Sequence, residues 1–326
     1  MVRAAAYLVL QVALLGAVAY APARAQSEFL GERFPYDRFD RLTTTPLAVG
    51  GATLNVAFAP GELALPRSAI LSWLETSAKA VSVYFGKFPV ASTRVLVVPV
   101  PGGGVVGGTT FGYRGAAIRL VVGSKSTEAD LVDDWKAVHE MTHLALPDVR
   151  ERHLWLAEGI AVYVEPIARV QAGDLTAERI WGDMVRDMPQ GLPQKGDRGL
   201  DHTPTWGRTY WGGAIFCLLA DVEIRKETGN RLGLQQALRG ILDAGGDHEQ
   251  YWRDWPVERI FKVGDMATGT TVLADLYAKM RASPYAPDLE ALWRELGISV
   301  GEGKLTFDDG APLAPIRRAI TAAPPP

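Results

Sequence analysis

This sequence of 326 residues contains a single cysteine, few long apolar segments and no excess of basic charge. Cys217 is the single cysteine and lies in an apolar helical stretch, so no disulfide framework is possible and the thiol is expected to be buried. The 34 Lys and Arg residues are outnumbered by 37 Asp and Glu, which argues against a nucleic-acid partner. Only the N-terminus has a long apolar run. Folding must therefore rely on a hydrophobic core.

That N-terminal run has the pattern of a secretory signal peptide. Arg3 precedes an apolar stretch over residues 4–20, and Ala23-Arg24-Ala25 supplies the small residues of a cleavage site. Residues 1–25 are predicted to be removed, taking two arginines and no acid, so the formal charge moves from −3 to −5. The alternative is an uncleaved anchor, but Gln11 interrupts the run and no charged stop follows. We expect an exported protein, periplasmic or secreted, without a membrane span after cleavage.

Residues 26–326 are predicted to form a single α+β domain, with a small mixed sheet over about 50–123 and a helical part over about 126–320. Residues 26–50 are interpreted as an irregular lead-in. Alternation and β-branched residues predict strands over residues 53–59, 94–100, 109–113 and 116–122. Helical periodicity predicts helices over residues 66–85, 127–146, 152–171, 176–188 and 209–228, with shorter ones over 234–243, 272–281 and 288–296. No segment has the composition of an interdomain linker.

A metal-binding pattern lies in the predicted helix over residues 127–146, where residues 139–143 are HEMTH. On a helix, His139 and His143 share one face a turn apart, so both imidazoles can reach one metal ion. Glu140 is rotated by about 100° from His139, so it can border the metal without binding it and accept a proton from water. The alternative is a surface helix that carries two histidines and binds nothing.

Glu158 is the candidate for a third ligand. Pro147 closes the first helix and the next is predicted to begin near residue 152, so an antiparallel pair would bring Glu158 towards His143. Three such ligands, with a fourth position left open, are typical of a catalytic rather than a structural zinc site. We expect one Zn²⁺ per chain, held by His139, His143 and Glu158.

These residues resemble the gluzincin metallopeptidases, which have a thermolysin-like catalytic domain. HEMTH followed by WLAEGIA at residues 155–161 is similar to the aminopeptidase N and glycyl aminopeptidase groups, whose signature is HExxH and then W-L-x-E-G-x-A. The resemblance implies that His139, His143 and Glu158 bind zinc and that Glu140 is the general base. Fourteen residues separate His143 from Glu158, fewer than is usual in those groups, so the loop between the helices is shortened.

A third motif, RTYWGGA at residues 208–214, matches the Y-x-x-G-A segment of the same families. The tyrosine hydroxyl there stabilises the tetrahedral intermediate, which implies a catalytic role for Tyr210, since a phenol can donate to a developing oxyanion. The alternative is an aromatic cluster at a helix start.

Other polar residues have weaker claims to a function. Glu165 shares a helix face with Glu158 and is interpreted either as a residue that orients or replaces a ligand, or as a solvated or capping acid. His202 lies in the loop before the tyrosine motif and is a candidate for the border of the cleft. His153 and His248 are interpreted as surface histidines. The segment GGTTFG at residues 107–112 is either a substrate-pairing edge strand, as in gluzincins, or a plain hairpin.

The motifs together predict peptide-bond hydrolysis, with Glu140 taking a proton from water and passing it to the leaving amine. The expected partner is a peptide or protein substrate. Two rival hypotheses are a zinc hydrolase acting on a non-peptide bond and an exported, non-catalytic binding or assembly factor with a vestigial zinc site. The intact Glu140 argues against the second, because metal binding alone needs no base.

An endopeptidase is predicted in preference to an aminopeptidase. Aminopeptidases of this kind bind the substrate's α-ammonium with acids, one of them from a G-x-M-E-N segment on the edge strand. Here residues 101–126 contain no Asp or Glu, and Arg114, Arg119 and Lys125 would repel a cationic terminus. An ammonium group without a counter-charge is costly to bury. Glu165 or Asp201 would be the alternative anchor.

Overall fold

The computed structural model describes residues 28–248, 255–301 and 304–324. The segment predicted to be a signal peptide, residues 1–25, lies outside these ranges. In the described part of the chain, no helix combines the length and the apolar character that crossing a membrane would require.

A five-stranded mixed sheet forms the N-terminal part of the fold. Its strands are β1 (Thr44–Val49), β2 (Ala52–Phe58), β3 (Ser92–Val100), β4 (Val105–Phe111) and β5 (Ala117–Gly123). The order is β1-β2-β3-β5-β4, in which β2, β3 and β5 are parallel and the two edge strands are antiparallel to their neighbours. The four predicted strands are confirmed.

Strand β1 corrects the interpretation of residues 26–50 as an irregular lead-in. Its side chains are exposed or only half buried, so it lacks the hydrophobic alternation that identifies a strand. It also contains Pro46, which edge strands tolerate because one side of their backbone is unpaired.

Helices make up most of the remaining chain, which confirms the predicted α+β class. They are α1 (Tyr36–Phe39), α2 (Arg67–Phe85), α3 (Glu128–Val132), α4 (Lys136–His143), α5 (Leu154–Ala172), α6 (Ala177–Asp187), α7 (Gly213–Glu227), α8 (Leu234–Asp243), α9 (Val257–Thr268), α10 (Val272–Met280), α11 (Leu289–Glu295) and α12 (Ala314–Thr321). A hairpin of β6 (Ile298–Gly301) and β7 (Lys304–Phe307) interrupts the helical half. The sequence patterns predicted neither this hairpin nor α1, α9 and α12.

The helix predicted over residues 127–146 is two helices, α3 and α4. Thr127 caps α3 as expected, accepting a hydrogen bond from the Asp130 backbone N–H. The break falls at residues 133–135, where the buried Asp134 carboxylate accepts a hydrogen bond from the Ala137 N–H, 2.9 Å away. An acidic side chain that binds a backbone N–H in this way starts a new helix. The helix that carries the HEMTH motif is therefore short and begins beside the site.

The sheet is covered on both faces. Phe29, Phe34 and Phe39 pack on one face, and the other belongs to a large core that continues through the helices to α12. Strand residues alternate between the two faces, so the fully buried run over residues 95–98 is the pattern expected of a sheet covered on both sides. This arrangement presents the free edge of β4 towards α4.

Candidate metal centre and active-site cleft

His139, His143 and Glu158 come together where α4 packs against α5. The Glu158 Oε2 atom lies 3.2 Å from His139 Nε2 and 3.7 Å from His143 Nε2. All three potential ligand atoms lie within 4.8 Å of one another. Tetrahedral zinc with bonds of about 2.1 Å would separate its ligand atoms by roughly 3.3–3.5 Å. The set has the donor types of a zinc site, and the two distances from Glu158 to the histidines lie close to this separation.

The protonation states of these side chains suit a metal site, because ligand atoms must carry a free lone pair. Burial lowers the pKa of His143, which favours the neutral imidazole. For Glu158, burial acts to raise the pKa, but the neighbouring His143 and His139 outweigh it and the pKa is lowered. The His139 Nδ1 atom is buried and has no hydrogen-bond partner in the described part of the chain.

Glu140 lies on the adjacent face of α4 and points towards β4. A methyl group on Gly108 of β4 would lie 2.5 Å from Glu140 Cγ, so only glycine leaves room for this side chain. Burial is the main reason that the pKa of Glu140 is raised above the usual glutamate range. A buried carboxyl with a raised pKa is a stronger proton acceptor than an exposed one.

Thr110 is a site residue that the sequence patterns did not single out. Its Oγ1 atom lies 2.8 Å from both the Glu140 Oε2 atom and the Glu140 backbone oxygen. The hydroxyl has one hydrogen, so it donates to one of these acceptors at a time. The only sequence signal for Thr110 was its position in the GGTTFG segment, which was one candidate for a substrate-pairing edge strand.

Tyr210 lies on a π-helical turn, Arg208–Gly212, immediately before α7. Insertions of this type are frequent at functional sites. The turn is held from inside by Arg208, which donates to the Gly191 oxygen at 2.6 Å and lies 2.8 Å from the buried Asp197 carboxylate. Burial raises the pKa of the Tyr210 hydroxyl, and the negative charges of Glu158 and Glu140 raise it further. The hydroxyl therefore stays protonated and able to donate.

One cleft of about 1070 Å³ is lined by His139, Glu140, His143, Glu158, Thr110 and Tyr210. Its lining combines β4, α4, α5, α6 and the turn that carries Tyr210. This concave, mixed apolar and polar surface has the form of a substrate site.

Glu165 also lines the cleft, but it is not part of the His-His-Glu group. It is buried and forms a 2.9 Å ion pair with Arg169, which also donates to the Val132 backbone oxygen. Burial raises the pKa of Glu165 to about 7 despite the arginine. The interpretation of Glu165 as a solvated acid is therefore wrong.

The remaining histidines lie in different surroundings from those predicted. His153 is buried beside Asp201 and Tyr277, so its interpretation as a surface residue is wrong. His248 is also not a plain surface residue, because it lines the cleft, and burial with the nearby His143 lowers its pKa to about 4. His202, by contrast, is not among the described residues that line the cleft.

No protein-family model matches the sequence, and no curated protein matches it. Solved structures do match the fold. An aminopeptidase N family protein from Idiomarina loihiensis superposes with a TM-score of 0.60 at 14% identity, over 80% of this chain and 50% of that one. A mutant two-domain M1 zinc metallopeptidase bound to L-arginine gives a TM-score of 0.50 at 15% identity, over 76% of this chain and 53% of that one.

This chain thus spans about half the length of the two structures that it matches. At such low identity the likeness concerns the fold alone. The fold implied by the sequence resemblance, that of gluzincin metallopeptidases near the aminopeptidase N group, is confirmed.

Proposed function

We propose that this chain is a zinc-dependent peptidase with His139, His143 and Glu158 as the zinc ligands. The observation that carries the proposal is the convergence of their three ligand atoms within 4.8 Å on the wall of a large cleft. A ligand set of this composition with an open side is characteristic of catalytic zinc. The buried Glu140 carboxylate beside it is the base that such a site needs.

Each proposed catalytic residue has one task in the reaction. Zinc, when bound, supplies Lewis acidity, which polarises a carbonyl and makes water more acidic. Glu140 accepts a proton from the attacking water and transfers it to the nitrogen of the leaving amine, so the peptide bond is replaced by a carboxyl group and an amine. Tyr210 donates its O–H to the oxygen that gains negative charge during the attack. Thr110 holds the Glu140 carboxylate in position.

Cleavage within a chain is favoured over removal of N-terminal residues, because the described acids of the cleft are already engaged. Arg169 pairs with Glu165, Arg179 with Asp133, and Arg186 with both Asp183 and Asp187. Asp148 accepts a hydrogen bond from the Val149 N–H. Apart from Glu140 and Glu158, each acid among the described cleft residues thus already has an ion-pair or hydrogen-bond partner, with which a substrate ammonium would have to compete.

The second possible anchor, Asp201, lies outside the cleft. Its carboxylate accepts hydrogen bonds from Trp155 Nε1 at 2.9 Å and from the Tyr277 hydroxyl at 2.7 Å. Arg119 does line the cleft, where it donates to the backbone oxygens of Phe29 and Gly31. A fixed cation at this place disfavours a cationic substrate terminus.

Metal analysis combined with peptide cleavage tests the proposal. We expect about one zinc per chain after zinc loading and dialysis, and cleavage of members of a mixed peptide library detected by mass spectrometry. Glu140→Gln should retain the zinc and lose most of the turnover, because an amide cannot accept the proton. Zinc well below one equivalent, or equal cleavage by Glu140→Gln and the unmodified protein, would contradict the proposal.

A further inference from the structure

Four of the seven exposed large hydrophobic residues in the described part of the chain lie on the one large cleft. They are Leu30, Val106, Trp135 and Trp206, and each of these residues is between 39% and 58% exposed. Single exposed hydrophobic residues are ordinary, but their concentration around one concave site indicates a binding surface. We call these four residues the apolar rim.

The two tryptophans of the apolar rim lie directly beside the proposed catalytic groups. The Trp135 ring meets the His139 ring edge-on with 5.2 Å between centroids, and one of its faces is covered by the Lys136 ammonium at 4.8 Å. Trp206 stacks on Tyr210 with 5.9 Å between centroids. An apolar group bound against either tryptophan would therefore be adjacent to the bond being hydrolysed.

The other two members are presented from the sheet side by defined backbone features. The pairing of β4 with β5 shifts register between Val105 and Gly107, which leaves Val106 outside the regular ladder. A bulge of this kind redirects a side chain. Leu30 lies between Phe29 and Gly31, whose backbone oxygens both accept hydrogen bonds from the buried Arg119. On the sheet side of the cleft, the apolar rim thus rests on a bulge in β4 and on backbone held by Arg119.

Four acids of the cleft form ion pairs with Arg169, Arg179 and Arg186, so substrate side chains find more apolar than charged contacts there. Building on the proposed peptidase function, we infer that the apolar rim binds bulky aliphatic and aromatic side chains that lie close to the scissile bond. The substrate class is then an extended polypeptide segment rich in residues such as Phe and Leu. Folded proteins bury such segments, so the substrates are unfolded or unstructured chains.

The test compares two blocked peptides, N-acetylated and C-amidated, that differ only in carrying Phe and Leu or Ser and Gln at the same positions. Their dissociation constants are measured by calorimetry on zinc-loaded Glu140→Gln protein, which reports binding without turnover. Burial of a large apolar side chain changes affinity by about tenfold or more, so the Phe/Leu peptide should bind at least that much more tightly.

We expect two variants, Trp135→Ala and Trp206→Ala, each in the Glu140→Gln background, to bind the Phe/Leu peptide about fivefold to tenfold more weakly. Their affinity for the Ser/Gln peptide should be unchanged. Met266→Ala is the matched control, since Met266 is 73% exposed but does not line the cleft. This substitution should change the affinity for neither peptide. Unfolding temperatures of the variants verify that these exposed positions do not disturb the fold.

Equal binding of the two peptides, no binding of the Phe/Leu peptide, or equal losses for both peptides in the tryptophan variants would overturn the inference. Hydrolysis by the unmodified protein separates this inference from the proposed function. Preferential binding of the Phe/Leu peptide without any hydrolysis supports the apolar rim and contradicts the peptidase proposal. Efficient hydrolysis of the Ser/Gln peptide, together with equal affinities for the two peptides, supports the peptidase proposal and contradicts the role of the apolar rim.

Discussion

Gly159 of α5 and Gly213 of α7 touch backbone to backbone. A methyl group on Gly159 would lie 2.3 Å from both the Cα and the carbonyl carbon of Gly213. Gly159 directly follows Glu158, and Gly213 lies three residues after Tyr210. The close contact of the two helices therefore sets the distance between the proposed third ligand and the proposed oxyanion donor. It also gives a structural reason for a glycine in both motifs.

Gly159→Ala should separate the two helices and weaken the site. Overpacking of this kind lowers the free energy of unfolding by about 1–3 kcal/mol, and we expect zinc affinity to fall by about tenfold. Calorimetric unfolding and zinc titration measure the two effects. Gly182→Ala is the control, because a methyl group there meets nothing within 4 Å, and a helical Ala is neutral or stabilises by up to about 1 kcal/mol. Unchanged zinc affinity in Gly159→Ala would refute this role of the contact.

Glu158→Ala should lose most of the bound zinc, whereas Glu165→Ala should keep it. Removing Glu165 instead leaves Arg169 buried without its partner, which should lower the free energy of unfolding by about 1–3 kcal/mol. Zinc content by mass spectrometry and stability by urea unfolding separate the two effects. If Glu165→Ala loses the zinc and Glu158→Ala does not, the third ligand has been assigned to the wrong residue.

Thr110→Val removes the hydroxyl that lies 2.8 Å from the Glu140 carboxylate. We expect kcat to fall by about tenfold while KM and zinc content stay the same, because only the position of the base is affected. Thr110→Ser should restore most of the rate. Thr268→Val, which removes a buried hydroxyl from α9, serves as control. A loss of zinc, or no recovery with serine, would show that Thr110 has a packing role instead.

Tyr210→Phe should lower kcat on the order of a hundredfold with little change in KM or zinc content, as for the loss of one oxyanion donor. Steady-state kinetics on a confirmed peptide substrate measure this effect. Tyr285→Phe, at a tyrosine outside the cleft, is the matched control. An unchanged kcat in Tyr210→Phe would leave Tyr210 with a packing role beside Trp206.

N-terminal acetylation of a cleavable peptide should leave its hydrolysis nearly unchanged. Apart from Glu140 and Glu158, the described cleft acids already have ion-pair or hydrogen-bond partners, and Arg119 would disfavour an ammonium group, so we expect a free terminus to contribute little binding energy. Product identification by mass spectrometry should show internal cleavage of both forms. Stepwise trimming of the free peptide together with no cleavage of the acetylated one would instead identify an aminopeptidase.

Local sequence patterns predicted most of the helices and strands, because their signals arise within one element. The exceptions have physical causes. Strand β1 is exposed and therefore lacks alternation, and the break between α3 and α4 falls where the Asp134 carboxylate accepts a hydrogen bond from the Ala137 N–H. His153 looked like a surface residue because its burial comes from Tyr277 and Asp201, which are distant in sequence.

By itself, the sequence determined the chemical types at the site and two of their relative positions. The period of the α-helix puts His139 and His143 on one face, and it puts Glu140 on the adjacent face. Tertiary packing alone decided that Glu158 reaches both histidines, that Thr110 meets Glu140, and that four of the described cleft acids pair with arginines. These relationships join residues on different elements, and their distances depend on how helices and strand edges pack, which no local pattern encodes.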